Sequence, residues 1–181
     1  MNCPVDHARM HRVELEAGLP AFTCDSCAGH WFRFGDYLTW RERQPGNVPE
    51  VPPEAGGELA VASDGRVRRC PDCDHLLARH RVGHGVPFAL DRCGGCHGVW
   101  FDRAEWETLR ARGLHDDVHQ MFGPGWQFAA RAEDRRQRVE AQFQRQLGTD
   151  YDRTREFAAW VAAHPRRSEI LAYVQSTVRQ A

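Results

Sequence analysis

Two short stretches of the chain alternate apolar and polar positions, and each alternation breaks at a turn. Val13-Glu14-Leu15 alternates before Ala17-Gly18, and Arg79 to Val82 and Val86 to Leu90 flank Gly83-His84-Gly85. Successive side chains of a strand face opposite ways, so these patterns predict two β-hairpins. The period then changes. Asp102-Arg103-Ala104-Glu105 has the spacing of a capping box, Trp106 and Leu109 share one helical face, and Gly113 can end that helix. Tyr37, Leu38 and Arg41 predict a counterpart before Pro45, with Arg33 standing where Asp102 does. From Trp126 the chain reads as helical. Val139, Phe143 and Leu147 recur every four residues, and Asp150 or Asp152 can cap a helix containing Phe157, Trp160 and Val161. Pro165 interrupts it, and Ser168 can open a last helix with Ile170, Leu171, Val174 and Val178 on one side. These stripes predict a small helical hairpin core or docking on the preceding hairpins.

The two hairpins belong to an internal repeat. Cys70-Pro71-Asp72-Cys73 and Cys93-Gly94-Gly95-Cys96 bracket the second hairpin, with nineteen residues between them. Cys3-Pro4-Val5-Asp6-His7 and Cys24-Asp25-Ser26-Cys27 bracket the first, and all seven cysteines lie in these segments. Cys27-Ala28-Gly29-His30-Trp31-Phe32 and Cys96-His97-Gly98-Val99-Trp100-Phe101 both read C-x-G-x-W-F. Each is followed by an acidic-aromatic pair, Asp36-Tyr37 or Glu105-Trp106. Detail at this level marks a duplicated structural unit.

Two C-x-x-C hooks separated by a hairpin's length of chain match the ligand spacing of one tetrahedral zinc ion. Cys70, Cys73, Cys93 and Cys96 form a complete four-thiolate set, whose expected contribution is folding free energy because it leaves no open coordination position. Cys3, Cys24 and Cys27 form an altered one. Asp6 holds the register position of Cys73, and His7 follows it. Histidine is the more usual partner of thiolates, so His7 is favoured on ligand preference and Asp6 on register. Three thiolates with a water, or no ion at all, are the other readings. Two zinc ions are expected. Units this small need a metal to stand, with Trp31 and Trp100 closing each core.

The run C-P-x-C, hairpin, C-x-x-C-x-G-x-W-F followed by a short helix resembles the bacterial zinc ribbons named after transcription factor IIB. Arg69 to Leu109 carries the full pattern, and Cys3 to Leu38 carries it without the second cysteine. Together they span under half the chain. The resemblance implies two zinc ribbons, each followed by a short helix; with the helical C-terminal region read from its apolar stripes, the expected fold class is α+β. It also suggests nucleic acid as one partner class.

Organisation follows from these segments: a first ribbon and helix over 1–43, a Pro/Gly-rich linker with a possible hairpin around Asp64-Gly65 over 44–69, and a second ribbon and helix over 70–113. A connector over 114–125 and a helical region over 126–181 complete the chain. The net charge of −1 gives no global footprint for nucleic acid or an anionic membrane. Arg131, Arg135, Arg136, Arg138 and Arg145 form one basic stretch, but Glu133, Asp134 and Glu140 interrupt it, as on a solvated helix surface. The pair His115 and His119 has i,i+4 spacing but lacks the glutamate of a catalytic zinc helix. No basic or apolar leader opens the sequence, no stretch has the ~20 apolar residues of a membrane helix, and the cysteine count is odd. A reducing, cytoplasmic setting is therefore expected. The expected role is a non-enzymatic zinc module that binds a protein partner. Nucleic acid is the alternative, and an enzyme using an open first site is the distant one.

Overall fold

The computed structural model describes residues 1–44, 46, 49–52 and 66–179. The hairpin expected around Asp64-Gly65 and most of the linker lie outside these residues. The rest is α+β, and the chain divides into two units, Met1–Asp134 and Arg135–Ala181.

In the first unit, strands β1 (His11–Glu16) and β2 (Leu19–Thr23) form the first hairpin and β3 (His30–Phe32) adds to it. Strands β4 (Leu77–Gly83), β5 (Val86–Cys93) and β6 (Val99–Phe101) repeat the arrangement. The repeat is physical. Gly18 and Gly85 occupy the same turn position with φ of 83° and 72°, and the pairing irregularity at Glu14/Glu16 recurs at Arg81/Gly83.

The two ribbons join into one antiparallel sheet, in the order β1-β2-β3-β6-β5-β4. The seam pairs the repeat with itself. Trp31 lies opposite Trp100, His30 opposite Phe101, and Phe32 opposite Val99, a register that exchange of the two copies preserves. Strand pairing satisfies the backbone groups that two separate ribbons would leave at open edges.

The seam also explains the duplicated glycine. A Cβ built on Gly98 would lie 2.1 Å from Trp31 Cζ2, and one on Gly29 would lie 2.2 Å from Trp100 Cζ2. Each glycine thus makes room for the other ribbon's tryptophan. The sequence places each tryptophan over its own ribbon, and the structure carries it across the seam.

Joining the ribbons changes the energetics of a small fold. One shared core gathers Leu19, Phe32, Tyr37, Trp40, Val82, Leu90, Phe101, Trp106, Leu109 and neighbours. Phe32 and Phe101, equivalent residues, meet at 4.9 Å between ring centroids, and Trp106 meets Phe101 edge-on at 5.5 Å. Such rings bury ~150–250 Å² each, so pooling two copies yields a core that neither ribbon has alone. A second cluster, Cys3, Met10, Cys24, Trp31, Cys70, Leu77, Cys93 and Trp100, lies with the hooks.

Helix α1 (Phe34–Arg41) follows the first ribbon without a side-chain cap at Arg33, and α2 (Glu105–Ala111) follows the second. The expected capping box does not open α2, because the chain turns at Arg103-Ala104 and the helix starts only at Glu105, with Ala104 as its N-cap. Glu105 Oε2 accepts the backbone N–H of Asp102 ahead of the helix, and the Asp102 carboxylate is turned to Trp100 Nε1 and Arg68. Glu105 is 1% exposed, and burial pushes its carboxyl up to about 9, so it is neutral at neutral pH. Gly113, at φ 64°, ends α2 with the Leu114 N–H reaching Leu109 O, as a left-handed cap requires.

Helix α3 (Val118–Met121) and the first half of α4 (Pro124–Leu147) close the β4 side of the sheet. Gln127 accepts the Arg81 N–H and donates to the Arg81 carbonyl, standing in for a neighbouring strand. Glu133 accepts the N–H groups of His84 and Gly85 at 2.7 Å each. This edge is thereby blocked against pairing with another chain. His115 and His119 pack into the same interior, His115 against Trp40 and Trp106 and His119 against Tyr37.

The second unit continues α4 through a 3-10 turn (Gly148–Asp150) into α5 (Tyr151–Ala163) and α6 (Arg167–Val178). The break falls at Pro165 as the sequence predicts, but α6 starts at Arg167, ahead of Ser168, and has no side-chain cap. The expected helical core is sparse. Val161 is the one buried side chain among the described residues of this unit. No helix of the described residues is long and apolar enough to cross a membrane.

Candidate metal centres

Four hooks build the two centres, and all four fold alike. Each closes with the N–H of the residue after its second ligand position bonded to the carbonyl of the first cysteine: His7 to Cys3, Ala28 to Cys24, Asp74 to Cys70, His97 to Cys93. These four residues have φ near 60° (61°, 58°, 60° and 63°). Left-handed backbone costs a non-glycine residue roughly 1–2 kcal/mol, and the tight turn is what imposes it. The turn aims backbone N–H groups at sulfur. Val5 N lies 3.3 Å from Cys3 Sγ, Asp72 N 3.4 Å from Cys70 Sγ, and Gly95 N 3.3 Å from Cys93 Sγ. Donors so placed stabilise thiolate over thiol.

In the second ribbon the sulfurs of Cys70, Cys73, Cys93 and Cys96 all lie within 4.8 Å of one another. Cys70 and Cys96 are 3.4 Å apart, as are Cys73 and Cys93. A tetrahedral zinc with bonds of ~2.3 Å sets sulfur edges of about 3.8 Å, so the set fits the ion. Burial pushes the Cys70 thiol up, while the exposed Cys73, beside the His75 backbone N–H, is lowered to about 6.

In the first ribbon Cys3, Cys24, Cys27 and Asp6 form the equivalent cluster, again within 4.8 Å. Cys3 and Cys27 are 3.5 Å apart, and both Asp6 carboxylate oxygens lie 3.5 Å from Cys24 Sγ. Hydrogen bonds from Ser26, Cys3 and the Ala8 N–H hold the Asp6 carboxyl at about 2, ready as an anionic oxygen donor. Asp6 occupies the place of Cys73. His7 occupies the turn-closing place of Asp74 and is exposed, outside the cluster. The structure therefore brings Asp6 to the three thiolates and leaves His7 away from them. Among the described residues no third metal-ligating cluster occurs, and His115 and His119 form none.

A family model described as a transcription factor zinc-finger matches residues 2–43 and matches again over 69–112. These stretches cover just under half of the chain and coincide with its two ribbons, each of which is similar to this type of zinc finger. No curated protein and no solved structure matches the chain.

The ribbons are linked at their metal ends through Asp72, and a buried charge network lies within the second ribbon. Asp72, inside the second zinc hook, accepts the indole N–H of Trp31 at 3.1 Å and pairs with Arg33 at 3.0 Å, both from the first ribbon. Asp102 accepts the Trp100 indole N–H at 2.8 Å and pairs with the buried Arg68. Arg68 also reaches Asp91 at 2.6 Å, and Arg79 pairs with the same carboxylate. Asp72 carried one signal, being an acidic residue within a hook where the other ribbon has Val5. Arg68 carried none, because its partners are distant in sequence.

Proposed function

We propose that this protein is a non-catalytic zinc-ribbon module of the reducing cytoplasm that binds another protein. Its two ions are held by Cys70, Cys73, Cys93 and Cys96, and by Cys3, Cys24 and Cys27 with Asp6 as fourth ligand. The coincidence of Asp6 with the Cys73 position supports that assignment. Closed ligand sets leave no coordination position for substrate, so zinc fixes shape and a separate surface does the binding. The observation that carries the binding role is the exposure of aromatic side chains on the second unit, Trp160 at 52% and Tyr173 at 71%. Aromatic residues presented to solvent on a small helical unit are the typical anchors of an interface.

Nucleic acid is the second reading, favoured by charge. Residues 135–181 carry nine arginines against five acidic side chains, whereas residues 1–134 carry 15 against 20. Capture from lysate separates the two. A protein partner stays bound after nuclease treatment and moderate salt and is lost with Trp160→Ala. A nucleic-acid ligand is lost to nuclease and salt instead.

Elemental analysis tests the metal assignment. Reduced wild-type protein is expected to hold two zincs per chain, His7→Ala two, and Asp6→Ala about one. Two zincs in Asp6→Ala and one in His7→Ala would reverse the ligand assignment.

A further inference from the structure

The second unit has too little interior for its apolar content. Its single buried side chain among the described residues is Val161, while Val139, Phe143, Phe157, Trp160, Leu171, Tyr173 and Val178 are all exposed. Helices α5 and α6 pack together only in part. Between them runs a groove of about 700 Å³, lined by Phe157, Trp160, Arg166, Glu169, Ile170 and Tyr173. On α6, Ile170, Leu171, Tyr173, Val174 and Val178 span a wider arc than the ~100° stripe that packs a helix against one neighbour. Leu171 and Val178 lie at the far side of that arc from Tyr173. The helix is patterned for a bundle of more than two helices.

We propose that this groove is closed by the same helices of a second copy of the chain, forming a two-fold helical bundle. The proposal rests on the protein-binding reading and names its partner. Three observations select a second copy. Covering the five exposed apolar side chains of α5 and α6, Phe157, Trp160, Leu171, Tyr173 and Val178, would remove on the order of 500 Å² per chain, since each aromatic ring buries ~150–250 Å² when fully covered and each aliphatic less. With the polar groups at the rim, that approaches the ~600–800 Å² each partner gives to a standard interface. A two-fold interface must be self-complementary, and the groove carries both signs, Arg166 at the N-cap of α6 and Glu169 in its first turn. Under a two-fold, an Arg166–Glu169 pair made once between the copies is made twice. Finally, a 47-residue unit with one buried apolar side chain gains too little from its own packing, and association supplies what is missing.

Sedimentation equilibrium on the full zinc-loaded chain, from about 1 to 100 µM, tests this. The expected species has twice the 20.7 kDa chain mass. Trp160→Ala and Tyr173→Ala should each weaken it at least tenfold, with helicity by circular dichroism retained. Arg166→Glu should also weaken it, and adding Glu169→Arg to Arg166→Glu should restore it. Restoration by charge exchange separates pairing between chains from a local folding defect. A monomer across the whole range overturns the proposal, as does a dimer indifferent to Trp160→Ala and to the charge exchange. Binding to vesicles of anionic phospholipid by a monomeric chain overturns it too. A monomer that still captures a protein through Trp160 overturns the two-fold bundle and leaves the protein-binding reading standing.

Discussion

Replacing Gly98 with alanine is expected to destabilise the first unit by about 3–5 kcal/mol, the cost of dislodging a buried tryptophan. The added Cβ would stand 2.1 Å from Trp31 Cζ2 and 2.7 Å from Cη2. Trp31 is fully buried, and its indole N–H is fixed on Asp72, so the ring cannot swing aside cheaply. Overpacking a core usually costs ~1–3 kcal/mol, and the larger figure applies here because the ring itself must leave. Gly98 does not need a left-handed backbone, so the effect is steric alone. Denaturant unfolding checks the size, and a double-mutant cycle checks the cause. Trp31→Phe withdraws the outer ring atoms that clash, so Gly98→Ala should cost markedly less in that background. Additive losses would place the damage elsewhere. An unchanged midpoint for Gly98→Ala would mean that the ribbons do not pair through Trp31.

Cys93→Ser, which removes one ligand of the second centre, is expected to loosen the first centre as well. The link is the crossing of the tryptophans. Trp31 belongs to the first ribbon but packs over Gly98 and is bonded to Asp72 between two ligands of the second. Trp100 belongs to the second and packs over Gly29 of the first. All four of Cys3, Cys24, Cys70 and Cys93 share one buried cluster with these rings. Losing the ion at one end therefore frees a ring that the other end needs. Coupling between sites typically spans 1–3 kcal/mol. Zinc release from the first site in Cys93→Ser should accelerate about tenfold, read with a chromophoric chelator. Hydrogen exchange should show lost protection in both hook pairs, around Cys24 to Gly29 as well as Cys93 to Gly98. The aromatic core around Phe32, Phe101 and Trp106 should keep its protection, since it touches neither hook cluster. Deprotection confined to the second hooks, with an unchanged release rate at the first, would show the centres to be independent.

Zinc is accordingly expected to have a narrower task here than in an isolated ribbon. The expectation that each unit depends wholly on its ion came from its size taken alone. Pooling the two aromatic sets across β3 and β6 creates an interior away from the metals, and the ions then hold the hook end of a sheet with a core of its own.

The amino-acid sequence determined the local features. Ligand spacing, hairpin turns and helix stops each depend on residues within a few positions of one another, and Cys70 to Cys96, Gly85 and Gly113 behave as their spacing implies. The repeat also established that there are two ribbons. Tertiary structure decided how they meet. A glycine and a tryptophan repeated at the same spacing in both copies look like parts of one ribbon, because identical copies do not reveal which partner each residue touches. Only the antiparallel pairing of β3 with β6 turns each tryptophan onto the other copy's glycine. The same holds for the altered centre. Ligand preference alone favours His7, but the hook's closing turn takes that residue's N–H and leaves its ring exposed, and the fold sets the Asp6 carboxylate beside the thiols.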